Sequence, residues 1–347
     1  MPPAVELRRF IAYSAAAFAR LGRFGMKSDS VSIILSFRNE EDNLPELIRR
    51  LRLVADGRAE DFEFIFVNDC STDRSREILM AARATDPRVR FLTTARRAGP
   101  SEGVLAGLAA ASGDAMIYMD CDLQDPPELI PTLLEHWRSG CDVVHTRRIA
   151  RHGEDPLRMW LTRRAYEAIN WTSRGQMPIE SGDFKLLSRR AAGHMLSLRE
   201  HDPYIRGLAV WMGFNQVFVD YERQARHCGE SKFSGIHRNA VKTMVAGVTS
   251  FSFLPVYVVF WAGLAGLALA PLLLLCGLVA LGLGATVSGW LVAALAFFLW
   301  GSLMAAIGIT GVYVARVYKD VRGRPRWLIA EAEGLEIVPD RAVMGAD

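Results

Sequence analysis

From Thr243 to Ala315 the sequence carries no Asp, Glu, Lys, Arg or His, which excludes a wholly water-soluble chain. Core helices of soluble proteins rarely run so far without a charge. Cysteine is scarce and unpatterned. Cys70, Cys121, Cys141, Cys228 and Cys276 include no C-x-x-C pair, which argues against a zinc site or a disulfide framework and fits a reducing cytosol. No G-x-x-x-x-G-K-[ST] and no G-x-G-x-x-G following a strand occurs, which argues against ATPase and dinucleotide chemistry. The seven histidines lack metal-ligand spacing, and neither a Ser-His-Asp nor a Cys-His arrangement can be drawn. There is also no internal repeat and no low-complexity linker.

What is present divides into a soluble part and a membrane part. A crossing takes roughly 20 residues, at about 1.5 Å each against about 30 Å of hydrocarbon, so the charge-free stretch holds two. The sequence predicts helices at 253–281 and 289–315, a hairpin turning at Gly284–Gly289, within a membrane segment 253–316. A juxtamembrane amphipathic helix is expected at 233–252 and a cytoplasmic tail at 317–347. Arg238 and Lys242 precede the hairpin, and Arg316, Lys319, Arg322, Arg324 and Arg326 follow it, which places both ends in the cytoplasm. The expectation is a multi-pass protein of the inner (cytoplasmic) membrane with its soluble domain in the cytoplasm. Residues 1–30 form a basic extension, with Arg8, Arg9, Arg20 and Arg23 around apolar positions, suited to a membrane surface. It lacks the continuous apolar core of a cleaved signal peptide, and Met26 is an alternative start.

Residues 31–232 alternate apolar runs with helical periodicity. Strands are expected at 31–37, 62–67, 89–93 and 115–119, with helices after 44, to about 84 and over 101–111. Such alternation predicts an α/β domain with a doubly wound, mostly parallel sheet. Ligands bind outside the carboxyl ends of such strands, where Asn39-Glu40, Asp69 and Asp120-Cys121-Asp122 fall. Further strands are expected at 142–145 and 216–221, and a basic helix at 156–173.

Asp120 and Asp122 at a strand end have the spacing of ligands for a hard divalent ion, although such pairs more often form turns or caps. Asp69 is suited to accept a base N–H or to cap the helix that follows. Arg147, Arg148, Arg206, Arg223, Arg226 and Lys232 suit lipid headgroups in general or a pocket for one anionic headgroup.

Together, Phe-Arg-Asn-Glu-Glu at 37–41, Val-Asn-Asp-Cys-Ser-Thr-Asp at 67–73, Asp-Cys-Asp-Leu-Gln-Asp-Pro-Pro at 120–127, Ser-Gly-Asp-Phe-Lys-Leu at 181–186 and Gly-Glu-Ser-Lys-Phe at 229–233 resemble one family. It is that of the family 2 polyprenyl-phosphate glycosyltransferases, of the dolichol-phosphate mannose synthase type and its bacterial undecaprenyl-phosphate glucosyltransferase branch. The resemblance implies a GT-A fold and transfer of one hexose, glucose from UDP-glucose, to undecaprenyl phosphate on the cytoplasmic leaflet. It implies nucleotide-sugar binding by Phe37, Glu40, Asp69 and Asp120, and Mg²⁺ or Mn²⁺ held by Asp120, Asp122 and Gln124. Asp183 stands as the catalytic candidate near the acceptor phosphate, with Arg148, Arg206, Arg223 and Lys232 as its lipid-phosphate ligands. The partners implied are a UDP-sugar, a polyprenyl phosphate and the membrane, with room for a homo-oligomer and no nucleic acid. Cys70, Cys121, Lys185 and the 96–101 loop depart from the family pattern, and the loop leaves the donor open between UDP-glucose, GDP-mannose and a UDP-aminosugar. A membrane component that binds nucleotide sugar without turnover is the alternative from another class, against which the intact Asp120, Asp122 and Asp183 argue.

Overall fold

A computed structural model describes residues 29–148, 181–198, 200, 201, 203–222 and 289–335, with 259, 261 and 279 as isolated helical positions. Eight strands form one sheet: β1 (Ser30–Phe37), β2 (Asp61–Asn68), β3 (Val89–Thr94), β4 (Ala115–Asp120), β5 (Val143–Arg148), β6 (Ser181–Ser188), β7 (Gln216–Tyr221) and β8 (Ile329–Glu333). Their spatial order is β7-β5-β6-β4-β1-β2-β3-β8. β3, β2, β1 and β4 are parallel neighbours, as are β5 and β7, whereas β6 and β8 run antiparallel to theirs. The described helices are α1 (Leu44–Asp56), α2 (Ser75–Thr85), α3 (Pro100–Ala110), α4 (Ile130–Arg138), α5 (Arg189–Ser197), α6 (Ile205–Trp211) and α7 (Gly289–Val321).

The parallel strands read as near-continuous apolar runs because both faces of the sheet are covered. Val31, Ile33, Leu35 and Phe37 of β1 pack with Leu44, Leu47, Ile48 and Leu51 of α1 in one buried cluster. Ile34, from the opposite face, joins Leu105, Ala106 and Leu108 of α3 and Ala191 and Ala192 of α5 in a second. Gly107 allows α3 its close approach, since a Cβ there would stand 2.3 Å from Ile34 Cγ2 and 3.1 Å from Val67 Cγ2. Each fully buried Ile, Leu or Phe contributes about 1.5–3 kcal/mol and an exposed ion pair about 0–1 kcal/mol, so these two clusters hold the sheet together.

The segment expected as a tail, 317–347, does more than trail the membrane part: Ile329–Glu333 is the outermost strand, antiparallel to β3. Arg76 of α2 grips Glu331 with both guanidinium arms, and the Ala95 N–H donates to the Leu328 carbonyl at 2.8 Å. Trp327 is buried in the second cluster with the Arg326 guanidinium over its ring. β6, α5 and α6 likewise extend the fold beyond the elements expected from sequence.

Among the described residues one helix is long and apolar enough to cross a membrane: Phe298–Val321 of α7, 24 residues with none of its length buried. At about 1.5 Å per residue it exceeds the roughly 30 Å hydrocarbon layer. The second expected crossing, 289–315, falls within this helix, which continues past Lys319 to Val321. The first expected crossing (253–281), the amphipathic helix (233–252), the basic helix (156–173), Arg223, Arg226 and Lys232, and the extension at 1–28 lie outside the described residues, apart from positions 259, 261 and 279.

Candidate active site

The carboxyl ends of β1, β2 and β4 sit side by side, with Ser36 in register with Asp120 and Phe37 with Asn68. Immediately beyond them lie three non-glycine residues of positive φ: Asn39 (53°), Cys70 (53°) and Leu123 (60°). Each costs of order 1–3 kcal/mol, and such strain persists only where the surroundings over-determine it. Here they do. The Asn39 N–H donates to Ser71 Oγ and the Thr72 N–H to Asn39 Oδ1, both at 2.9 Å, while Cys70 Sγ donates to the Thr94 carbonyl at 3.0 Å.

Asp69 is buried and turned towards the loop after β3. Its carboxylate accepts the Ala98 N–H at 2.7 Å, the Gly99 N–H at 3.2 Å and the Thr94 hydroxyl at 3.2 Å. Gly99, at φ 112°, gives the chain the turn that aims this N–H. Asp69 therefore fixes the approach to α3, and the helix cap expected of it at α2 is absent: Asp73 Oδ1 accepts the Ser75 N–H at 3.2 Å instead. The ring of Phe37 faces away from solvent. It is 5% exposed and packs edge-on against Phe66 in the core, because β1 alternates and Phe37 shares the inward face of Leu35. What Phe37 offers near the site is its carbonyl, which accepts the Asp69 N–H at 2.9 Å. Glu40, half-buried, accepts from Asn43 Nδ2 at 2.7 Å, and its N–H donates to Ser75 Oγ at 3.2 Å.

Asp120 ends β4, and the buried Asp122 accepts the backbone N–H of Gln124 at 3.2 Å. Burial, with Asp183, Asp125 and Asp122 nearby, pushes the Asp120 carboxyl up to about 8, against a smaller opposing pull from Arg206. This is an electrostatic field with more negative charge than its arginines offset. Next to it, the fully buried Asp125 accepts from the Tyr221 hydroxyl, which in turn accepts from Arg148 Nε at 3.1 Å. Arg148 Nη2 lies 3.7 Å from Asp125 Oδ1. Arg147, its neighbour, points the other way and forms a fork on Asp220 at 2.6 and 2.8 Å.

Asp183 on β6 receives Arg206 of α6 in a two-armed fork, Nε to Oδ1 and Nη2 to Oδ2. Burial alone would raise this carboxyl, but Arg206, with Lys185 and Arg148 behind it, holds it below the usual carboxylate range. Asp120, Asp122, Asp183, Arg148 and Arg206 thus share one electrostatic neighbourhood, in which Asp183 is ionised and Asp120 is the strained carboxylate. Gln124 follows directly and is half-buried. Asp125 and Tyr221, not chosen from the sequence, complete the setting of Arg148. The Asp-x-Asp-x-x-Asp spacing was the signal for Asp125, whereas Tyr221 at the end of an alternating strand carried none.

The sheet is a GT-A-like α/β sheet with acidic residues gathered beyond its parallel strand ends, where such sheets bind ligands. Residues 32–196 match the model of Glycosyl transferase family 2. The chain is 34% identical over 310 residues to the uncharacterized glycosyltransferase YkcC of Bacillus subtilis (strain 168), covering 88% of this chain and 94% of that one. It is 33% identical over 309 residues to the bactoprenol glucosyl transferase of Shigella phage SfII, covering 87% and 98%. The protein belongs to glycosyl transferase family 2. Among solved structures, glucosyl-3-phosphoglycerate synthase from Mycobacterium tuberculosis aligns over 67% of this chain and 81% of that one, at 18% identity and a TM-score of 0.48.

Proposed function

We propose that the protein transfers one glucose from UDP-glucose to undecaprenyl phosphate at the cytoplasmic face of the membrane. The observation that carries this reading is the pairing of an acidic cluster, Asp120, Asp122 and Asp183, with Arg148 and Arg206, in a chain that also bears an uncovered apolar helix. Similarity to bactoprenol glucosyl transferases over most of both chains supports the acceptor class. In this reading α7 is the second arm of a two-helix hairpin at 253–316, and 31–232 together with β8 forms the catalytic domain.

The donor set suits a hard divalent cation, Mg²⁺ or Mn²⁺. Among the described residues no group of three or more His, Cys, Asp or Glu is placed to hold an ion alone. A site of this kind takes one or two carboxylates from the protein and the remaining oxygens from a diphosphate and water. Asp120 and Asp122, with Gln124 beside them, would hold the ion, and the raised Asp120 marks the charge it would relieve. Bound there, it would offset charge on the departing nucleoside diphosphate.

The remaining work falls to the chain itself. Asp69 holds the 94–99 loop where a nucleotide base would lie, and Glu40 borders the same edge. Arg148 and Arg206, with Arg223 and Lys232, would take the acceptor phosphate and set its oxygen in line with the anomeric carbon. That oxygen is already anionic at neutral pH, so Asp183, ionised in its fork, orients the acceptor or the sugar hydroxyls. A single displacement inverts the anomeric centre without a covalent enzyme intermediate. The test is a panel of labelled UDP- and GDP-sugars offered to purified protein with Mg²⁺ or Mn²⁺ and undecaprenyl phosphate. Label entering lipid from UDP-glucose supports the reading. Entry from GDP-mannose or a UDP-aminosugar alone would reassign the donor, and nucleotide binding without transfer would leave a carrier.

A further inference from the structure

The loop that joins β3 to α3, residues 95–99, carries Ala95, Arg96 and Arg97 in exposed positions, so little apolar burial fixes it. Ordering such a segment costs conformational entropy residue by residue, and hydrogen bonds must offset that cost. From within the domain they come from Asp69, which accepts the Ala98 and Gly99 N–H groups at 2.7 and 3.2 Å. From the sheet edge they come from the chain that follows the membrane helix. The Ala95 N–H donates to the Leu328 carbonyl at 2.8 Å, and Arg96 Nη2 donates to the Pro325 carbonyl at 3.1 Å and the Arg326 carbonyl at 3.4 Å. The loop is thus gripped at one end by a carboxylate and at the other by three carbonyls.

Those carbonyls are themselves firmly seated. Trp327, which lies among them in sequence, is 3% exposed in the second core cluster, with the Arg326 guanidinium 4.9 Å from its ring centroid. Arg326 Nη1 donates to the Leu198 carbonyl at 2.9 Å. Upstream, the His201 N–H donates to Asp320 Oδ1 and His201 Nε2 to the Arg324 carbonyl, both at 2.8 Å. Downstream, β8 pairs with β3, and the register shifts between Thr93 and Thr94 as the strand gives way to the loop.

We propose that residues 325–328 are a positioning element of the donor site and Arg96 its positioning residue: the Pro325, Arg326 and Leu328 carbonyls set the 95–99 loop against Asp69 and so set the place of the nucleotide base. The inference rests on the reading of Asp69 and this loop as the nucleotide side of the site. It makes the segment after the membrane helix a working part of the donor half of the enzyme. A direct contact between Arg96 and a donor phosphate is the competing account. The two differ in what a nucleoside monophosphate loses and in how the loop behaves when no nucleotide is bound.

The test is calorimetric binding of UMP and UDP, and of GMP and GDP, to the full-length protein in detergent with Mn²⁺, together with amide hydrogen exchange of the nucleotide-free protein read by mass spectrometry. Arg96→Met is expected to weaken the mono- and diphosphate of the base that binds by the same factor, about tenfold, and to speed exchange in the peptides covering 95–99 and 325–328. Arg96→Lys, which can still donate to one carbonyl, should recover binding to within about threefold. Trp327→Leu, a change inside the core, should weaken both nucleotides as well, and the double variant should lose no more than the larger single loss. Loss confined to the diphosphate would overturn the proposal in favour of a phosphate contact, and unchanged exchange in both peptides would overturn it by showing that Arg96 fixes nothing. A folded Trp327→Leu with native affinity would overturn it too. Should Trp327→Leu not fold, the exchange of Arg96→Met and its mono-to-diphosphate comparison decide alone. Faster exchange in both peptides, with native nucleotide affinity in Arg96→Met and Asp69→Ala alike, or no binding of any of the four nucleotides by the native protein, would instead remove the nucleotide reading on which the inference rests.

Discussion

Replacing Asp120 by Asn should make the metal-free protein more stable while ending transfer. The carboxyl rises from 3.8 to about 8 through burial and the repulsion of Asp183, Asp125 and Asp122. Between those values the folded state keeps a proton that the unfolded state has lost, so stability falls as pH rises through this window. The deficit is absent below about pH 3.8 and complete above about pH 8. At pH 7 it approaches about 4 kcal/mol at 1.36 kcal/mol per pH unit, and about 2–4 kcal/mol once partial solvation is allowed for. Asn removes the charge without changing the shape. Thermal unfolding at pH 7 with a chelator should therefore show Asp120→Asn melting about 5 °C or more above the native protein, with the gap closing towards pH 4. Added Mn²⁺ should stabilise the native protein by mass action and leave the variant unmoved. A variant less stable than the native protein, or one that still responds to Mn²⁺, would refute the reasoning.

Asp69→Ala deprives the Ala98 and Gly99 N–H groups of their acceptor, at about 1–3 kcal/mol for each group left unsatisfied. We expect a lower melting temperature together with a raised KM for the nucleotide sugar, and unchanged melting would contradict the structural half of its role. Gly107→Ala inserts a methyl 2.3 Å from Ile34 Cγ2, and should cost about 1–3 kcal/mol in denaturant unfolding with little change in KM.

The parallel half of the sheet was legible in the sequence because its strands are apolar runs that stop abruptly at acidic or polar residues. Val31–Phe37, Phe62–Val67, Val89–Thr93 and Ala115–Met119 fall within a residue or so of the observed strands β1 to β4. β6 escaped because it opens on Ser-Gly-Asp and carries Lys185 in its middle, and buried polar side chains break the apolar pattern by which strands are recognised. β8 escaped because its five residues, Ile-Ala-Glu-Ala-Glu, have little β propensity of their own and gain their place only by pairing with β3. Asp120 and Asp122 could be picked out because carboxylates at the end of an apolar strand are visible in one dimension, whereas Asp183 was reached only through the resemblance of Ser181–Leu186 to the family pattern. The pairings among the site residues could not, since the Asp125–Tyr221–Arg148 set and the Asp183–Arg206 fork join residues far apart in the chain.

The most direct measurement of the central claim is mass spectrometry of the lipid extract from liposomes that contain the purified protein, UDP-glucose and Mn²⁺, with and without undecaprenyl phosphate. The account predicts glucosyl undecaprenyl phosphate, one hexose per lipid, in the complete mixture, and none when Asp120 and Asp122 are both replaced by Asn. An acceptor lipid left unglycosylated by native protein that binds UDP-glucose, or full product from the double variant, would contradict it.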